Sequence, residues 1–158
     1  MRLEGKTVSE SKVSLAQIML PEDTNPAGNV HGGTIMKLVD NAAYVAASRH
    51  CRRTVVTASM DSMDFHSPVY LGDLLFLKAS VNMTGRTSME VGVRVESEDT
   101  LTGEVRHTGS AYLTFVALDH RGRPAPVPPI IPVTIEEKRR YRQACERAAL
   151  RKQTRRKD

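Results

Sequence analysis

Hydrophobic and polar positions alternate along two neighbouring segments of the chain. In the first segment every second residue is apolar, at Leu75, Leu77, Ala79, Val81 and Met83. After the short segment GRTS the same period continues at Met89, Val91, Val93 and Val95, with Glu90, Arg94 and Glu96 on the opposite face. A period of two is typical of strands with one buried face, so the two segments are predicted to form a hairpin.

Three further segments have the composition of strands. The segment from Ser11 to Leu20 is ended by Pro21. The segment RTVVTASMDSMDF is rich in β-branched residues, ends at Phe65 and is followed by the turn-forming HSPVYLGD. A last strand is predicted from about Val105 to Ala117, with one apolar face at Ala111, Leu113 and Phe115. Such runs bounded by turn formers favour strands.

Two helices are predicted. From Gly33 to about Ser48 the apolar residues follow the i, i+3, i+4, i+7 spacing of an amphipathic helix, at Ile35, Leu38, Val39, Ala42 and Ala46. The proline-rich segment DHRGRPAPVPPIIP is expected to lack regular structure. A charged helix should begin at about Thr134, on the surface or at a subunit contact, with apolar anchors at Ile135, Tyr141, Cys145, Ala148 and Ala149.

The order of these elements predicts an α+β fold. Four long strands in succession, joined by short turns, imply an antiparallel sheet. Only the first helix is apolar enough to cover a face of that sheet. The expected architecture is a curved antiparallel sheet wrapped around one central helix. Residues 1–132 would form this single domain, and residues 133–158 a basic C-terminal helix and tail.

The positive charge of the chain is concentrated in its tail. The 158 residues carry a net charge of +5, yet the segment from Glu136 to Asp158 holds ten Lys and Arg against four acids. Its only aromatic residue is Tyr141, and binding of single-stranded nucleic acid relies on aromatic stacking. A solvated helix face is therefore favoured over nucleic-acid binding.

The remaining composition favours a reduced, cytoplasmic setting. No apolar run approaches the roughly 18 residues of a membrane span, and the N-terminal MRLEGKTVSESK lacks a signal-type segment. Neither a membrane partner nor a secretory route is expected. Cys51 and Cys145 have no metal-ligand spacing and make a poor disulfide framework. No metal site is predicted.

The segment NPAGNVHGGTIMKLVDNAA, from Asn25 to Ala43, carries the candidate chemistry. The first N–H groups of a helix lack intrahelical partners and lie at the positive end of its dipole. Gly32 and Gly33 leave those groups uncovered, so they could accept a developing oxyanion. The alternative is a tight turn into the helix that merely needs two flexible residues.

Asp40 lies about two helical turns after Gly33 and therefore on the same side of the helix. A carboxylate there could act as a general base or a nucleophile, although a surface aspartate or an interface salt bridge is the alternative. The Asn25 amide could position water or a substrate oxygen, or instead cap its own turn. His31 is expected to support the site without contacting the substrate, since a His beside a helix start often forms hydrogen bonds only with the backbone.

These motifs closely resemble the signature of hotdog-fold thioesterases, in particular the cytosolic acyl-CoA hydrolase branch. The segments SMDSMDFHSPVYLGDLL, GRTSMEVGVRVESEDTLTGE, HTGSAYLTFVALD and EEKRRYRQACERAALRK match in order as well. The resemblance extends from about Val13 to Lys152.

The resemblance implies hydrolysis of acyl-CoA to free coenzyme A and a carboxylic acid, without metal or organic cofactor. Coenzyme A would enter only as part of the substrate and product. In two-domain members of this branch one repeat supplies a catalytic Asn and the other a catalytic Asp. Asn25 and Asp40 match both residues, which implies a homodimer with shared sites, and the usual assembly of the family is a hexameric trimer of such dimers.

The coenzyme A end of the substrate has one candidate contact in the GRTS turn. Arg86 could hold a phosphate bidentately, with the hydroxyls of Thr87 and Ser88 beside it. The turn needs no ligand if it only joins two strands.

Two other functions remain open at this point. A hydratase or dehydratase of acyl thioesters would place a catalytic His with an acid at the helix start, which makes His31 relevant. A non-catalytic acyl-CoA sensor or a nucleic-acid-binding module could use the basic tail.

Overall fold

Five strands form one antiparallel sheet in the computed structural model, which describes residues 3–157. A short strand β1 (Lys6–Thr7) precedes them. The sheet strands are β2 (Val13–Ile18), β3 (Thr54–Phe65), β4 (Leu74–Thr84), β5 (Ser88–Glu98) and β6 (Val105–Leu118). Their spatial order is β2-β4-β5-β6-β3. The predicted antiparallel sheet is therefore present.

The position of β3 differs from the simple succession that the sequence suggests. This strand does not pair with β4, which follows it in the chain, but with β6, so that Thr54 lies opposite Leu118 and Phe65 opposite Gly109. The connection over residues 66–73 is long enough to carry the chain away from the edge of β3. As a result β3 is an edge strand, and one of its two edges pairs with no residue within 3–157.

The central helix α1 (Gly32–Cys51) covers one face of the sheet. Its predicted apolar stripe is buried at Ile35, Val39, Ala42 and Ala46, and half-buried at Leu38. Ala43 and Ala47 are also fully buried, because small side chains allow the helix to lie close to the strands. Arg52 ends the helix in the left-handed region, at φ 53°.

The alternation predicted for β4 and β5 holds except at one bulge. Leu75, Leu77, Ala79 and Val81 are buried beneath α1. The pairing between β4 and β5 then shifts by one residue between Val81 and Met83. The extra residue of a bulge exchanges the faces of the strand, so Met83 lies opposite Glu90, on the outer face, and is only half-buried. The predicted place of Met83 on the inner face was wrong for this reason.

A second helix, α2 (Ile135–Arg155), lies against the outer face of the sheet, opposite α1. Thr134 caps its start: its hydroxyl accepts from the N–H of Glu137 at 3.1 Å, and the Glu137 carboxylate accepts from the N–H of Thr134 at 3.1 Å. The fully buried anchor of α2 is Ala144. Ile135 is 89% exposed, and Cys145 and Ala149 are exposed too, so these three predicted anchors were wrong.

The proline-rich segment between β6 and α2 is not wholly irregular. Ile130–Ile131 forms a short strand, β7, that pairs in parallel with β1. This pairing corrects the expectation that the segment holds no regular structure. Within residues 3–157, neither helix is long and apolar enough to cross a membrane.

Candidate active site

The loop before α1 folds around the side chain of Asn25. Its Oδ1 accepts hydrogen bonds from the N–H groups of Ala27 at 3.0 Å and Asn29 at 3.2 Å. Asn25 therefore caps its own turn, as one of the two interpretations of the sequence expected. The other end of the amide, Nδ2, has no acceptor among the described residues. Both N–H donors of this nitrogen are therefore available to a ligand.

The start of α1 leaves two backbone N–H groups without acceptors. The carbonyl of His31 accepts from Thr34 at 3.0 Å and from Ile35 at 3.2 Å, whereas Gly32 and Gly33 donate to no residue within 3–157. A Cβ added at Gly33 would have no atom within 4 Å, and one at Gly32 would meet only the ring of Phe65, at 3.6 Å. The positive end of a 20-residue helix is thus open to an anionic oxygen.

Asn25 and Gly32 line the same cavity, which has a volume of about 360 Å³. Its other walls include the apolar side chains of Ile35, Phe65 and Val69. The structure therefore brings the predicted Asn and the first glycine together beside an apolar wall. Phe65 was not among the sequence candidates, and only its place at the end of a predicted strand could have drawn attention to it.

Asp40 lies further along α1 and does not line this cavity. Its Oδ1 accepts a hydrogen bond from the hydroxyl of Thr57 at 2.8 Å. Thr57 is on β3 opposite Phe115 and so on the face of the sheet that α1 covers. Asp40 follows Gly33 by seven residues, a rise of about 10 Å along the helix. Within one chain, Asp40 is therefore too distant to act on a group held by Gly33.

The surroundings of Asp40 remain open on one side of the molecule. Met36 and Tyr44, four residues before and after it on α1, are 41% and 44% exposed. On β3, Phe65, which lies beside the start of α1, is 47% exposed. Large apolar side chains beside an unpaired strand edge are typical of a subunit contact.

Comparison with known proteins identifies the family. Residues 27–104 match the model of the thioesterase superfamily. A Bacillus subtilis protein named uncharacterized acyl-CoA thioester hydrolase YkhA is 43% identical over 97% of this chain and 89% of its own length. The chain belongs to the thioesterase superfamily.

Solved structures agree with this assignment. An apo-hexameric acyl-CoA thioesterase matches with a TM-score of 0.93 and 44% identity, over 96% of this chain and 97% of that one. The acyl-CoA hydrolase of Staphylococcus aureus, solved with butyryl coenzyme A and coenzyme A, matches with a TM-score of 0.89 and 40% identity, over 95% and 92%. The predicted hotdog-fold thioesterase is confirmed.

The Staphylococcus aureus enzyme has also been solved as three alanine variants, at an Asn, an Asp and a Thr. In that chain the Asp lies fifteen positions after the Asn, and the Thr seventeen positions after the Asp.

The predicted coenzyme A contacts of this thioesterase lie far from the Asn25 cavity in the same chain. Arg86, Thr87 and Ser88 occupy the turn between β4 and β5, and Ser88 lies opposite Val116 near the end of β6. Gly32 lies against Phe65, at the other end of β3. Strands of this length separate the two places by roughly 30 Å. A role for the turn in substrate binding stays a prediction.

The imidazole of His31 is exposed and makes no hydrogen bond to the part of the chain described here. Its backbone, not its ring, shapes the helix start, so its supporting role also stays a prediction. Among residues 3–157, no three His, Cys, Asp or Glu side chains lie close enough together to hold a metal ion.

Proposed function

We propose that this thioesterase hydrolyses acyl-CoA to coenzyme A and a carboxylic acid, in a site built from two copies of the chain. The observation that carries the proposal is the open helix start, where the N–H groups of Gly32 and Gly33 lack acceptors beside the cavity that Asn25 lines. A thioester carbonyl needs such donors as it becomes tetrahedral. Each preorganised donor of this kind contributes about 3 kcal/mol to transition-state stabilisation.

The spacing of three residues supports the assignment of roles. Asn25, Asp40 and Thr57 are separated by fifteen and seventeen positions. The three positions substituted in the Staphylococcus aureus enzyme have the same separations. This agreement in a relative of 40% identity favours Asn25 and Asp40 as the reacting pair and adds Thr57 as the residue that orients Asp40.

Asp40 can serve the reaction in two ways. As a general base it would take a proton from water while the water oxygen bonds to the carbonyl carbon. As a nucleophile its carboxylate would bond to that carbon and form an anhydride, which water then cleaves. In both routes the carbon–sulfur bond breaks and coenzyme A leaves as a thiolate that takes up a proton. Asn25 would hold the water or the carbonyl oxygen through its Nδ2 donor.

Two copies of the chain are needed because one chain separates these groups. Asp40 lies about 10 Å further along α1 than Gly33, but it also lies beside the unpaired edge of β3. Pairing of two β3 edges around a two-fold axis would join the sheets and cover the apolar residues next to Asp40. Each site would then combine Asn25 of one copy with Asp40 of the other.

We further propose that three such dimers assemble into a hexamer. The hexameric state of a neighbour with 44% identity over nearly the whole chain supports this assembly.

The test is release of free thiol from saturated acyl-CoA substrates of several chain lengths. A hydratase acting on acyl thioesters would release none. We expect Asp40→Asn to lower kcat about a hundredfold or more, as for the loss of a general base. Glu104→Gln, at an exposed position of the turn between β5 and β6, is the control.

A second variant isolates the amide donor of Asn25. Asn25→Asp keeps the Oδ1 that closes the turn with Ala27 and Asn29 but removes the Nδ2 donor. The loop should therefore persist while kcat falls about a hundredfold. Near-normal turnover in Asp40→Asn or Asn25→Asp would eliminate the proposed roles.

A further inference from the structure

The larger of the two cavities described here lies on the opposite side of the sheet from α1. It has a volume of about 560 Å³, against about 360 Å³ for the Asn25 cavity. One wall is the outer face of β2, β4 and β5, and the other is the first half of α2. We call this cavity the outer groove. A volume of this size suits a small organic ligand.

Positive charge dominates both walls of the outer groove. The sheet wall carries Lys12, Lys78 and Arg94, and the helix wall carries Arg139, Arg140 and Arg147. The guanidinium of Arg147 is neutralised by the buried carboxylate of Glu90. Two further carboxylates pair with four of the other five cations. Glu96 lies 3.1 Å from Lys78 and 2.8 Å from Arg94, whereas Glu136 pairs with both Arg139 and Arg140.

The groove therefore holds an excess of positive charge. Each of the two carboxylates is shared between two cations, and Lys12 has no carboxylate within 4 Å among residues 3–157. About three positive charges remain uncompensated, counting five cations against two anions in a partly enclosed space where the charges are less screened than on an open surface.

The register of the strands places these cations side by side. Lys78 lies directly opposite Arg94 on the neighbouring strand. Like charges in that arrangement destabilise a sheet, and Glu96, which pairs with both, offsets only one of the two positive charges. The same row continues with Ser14 opposite Lys78 and Ser110 opposite Arg94, and both hydroxyls line the groove. Cations flanked by hydroxyls form a surface suited to phosphate oxygens.

We propose that the outer groove binds a polyphosphate anion with two or three negative charges. Such a ligand would neutralise the excess charge of the walls and offer several oxygens to the arginine forks and serine hydroxyls. Because one wall belongs to α2 and the other to the sheet, the bound anion would fasten the helix to the sheet. The groove lies on the face away from the Asn25 cavity, so this site is separate from thioester chemistry.

The test uses inorganic pyrophosphate and the full-length assembled protein at constant ionic strength. Titration calorimetry should give saturable binding with one site per chain. The variant Lys12→Gln/Arg140→Gln removes one cation from each wall and should weaken binding about tenfold or more. Arg121→Gln/Arg123→Gln removes the same charge from an exposed turn and should leave the affinity within about twofold. Absence of saturable binding, or equal weakening by both variants, would overturn the proposal.

A competition experiment identifies the source of the phosphate. Coenzyme A also carries phosphates, and substrate binding in the groove is the alternative that this experiment tests. Pyrophosphate and a nucleoside diphosphate should compete with each other, and coenzyme A at a concentration that saturates the active site should displace neither. Displacement by coenzyme A would overturn the assignment of a separate site.

Hydrogen exchange of the wild-type protein gives a second measurement that needs no variant. Pyrophosphate should slow amide exchange in residues 135–147 of α2, which line or flank the groove, more than in residues 148–155. Uniform or absent protection along α2 would contradict binding between the helix and the sheet.

Discussion

The hydrogen bond from Thr57 to Asp40 occupies one carboxylate oxygen and leaves the other to act. At 2.8 Å the bond joins a neutral donor to a charged acceptor, and bonds of that kind contribute about 1.5–3 kcal/mol. The contact fixes the rotamer of Asp40 beside the open edge of β3. In the mechanism proposed above, the contact would aim the free oxygen in a single direction.

Substitution of Thr57 tests this role without changing the shape of the side chain. Thr57→Val replaces the hydroxyl by a methyl group, and we expect kcat to fall about tenfold, which corresponds to 1.4 kcal/mol. Thr57→Ser keeps the donor and should retain most of the activity. Steady-state kinetics and thermal unfolding of both variants provide the measurement. Equal activity of the Val and Ser variants would show that the hydroxyl does not orient Asp40.

His50 offers a prediction on pH at the same scale. Its Nε2 lies 2.7 Å from the carbonyl oxygen of Pro128, and its buried Nδ1 has no partner in residues 3–157. Burial lowers the pKa of His50 below its ordinary value of 6.5. The folded protein therefore binds this proton less readily than the unfolded chain. The stability contributed by neutral His50 is present above pH 6.5 and is lost as the pH falls below it.

We expect the free energy of unfolding to decrease between pH 7.5 and pH 5.5, measured by urea denaturation. His50→Gln keeps a donor for Pro128 but cannot titrate, so the decrease should be smaller in that variant. If the free energy of unfolding of His50→Gln decreases with pH as much as that of the wild type, other groups cause the pH dependence.

Part of the site could be predicted at the level of residues. Gly32, Gly33 and Asp40 were recognisable because a helix start and a two-turn spacing are local properties of the chain. Asn25 was ambiguous: in the structure its oxygen closes the turn, and its nitrogen has no acceptor within residues 3–157, so its role toward a substrate stays a prediction. Thr57 was not predictable, because its contact with Asp40 depends on how α1 packs against β3.

At the scale of elements, α2 is attached to the sheet by charge more than by apolar contact. Glu90 has a side chain with 0% exposure, and Arg147 contacts it at 2.7 Å while lying 3.7 Å above the ring of Tyr112. Asn82, buried on the outer face of β4, donates to the same carboxylate at 3.3 Å. A buried carboxylate is costly without such partners.

Removal of Arg147 should therefore lower the free energy of unfolding by more than the loss of an exposed ion pair would. Arg147→Ala leaves Glu90 with only Asn82 and the more distant Arg151, and we expect the free energy of unfolding to fall by about 3 kcal/mol. Glu90→Leu/Arg147→Met removes both charges and should be more stable than the single variant. Chemical denaturation checks both expectations. If Arg147→Ala is as stable as the wild type, the ion pair between Glu90 and Arg147 does not attach α2 to the sheet.

The pattern of the sequence was sufficient for the elements but not for all their partners. Alternation and helical spacing identified β4, β5, β6 and α1, because each has one face on the same core. The pairing of β3 with β6 joins segments that are far apart in the chain, so no local pattern predicts it. In α2 the few apolar residues are alike, so the sequence did not indicate that Ala144 is the buried one.

At the scale of the whole molecule, the shared site predicts complementation between inactive variants. Asn25→Asp and Asp40→Asn chains, refolded together, should form mixed dimers in which one site carries both lesions and the other neither. Random pairing would restore about a quarter of wild-type activity, since half of the dimers would be mixed. Thiol release is the readout, and mass spectrometry verifies exchange of subunits. No recovery after complete exchange would mean that one chain forms the whole site.

The place of β3 in the sheet has a consequence for synthesis on the ribosome. Thr54–Phe65 emerges early, but its neighbour β6 is complete only at Leu118, about fifty residues and several seconds later at usual rates of translation. Throughout that interval both edges of a twelve-residue strand are available to other nascent chains.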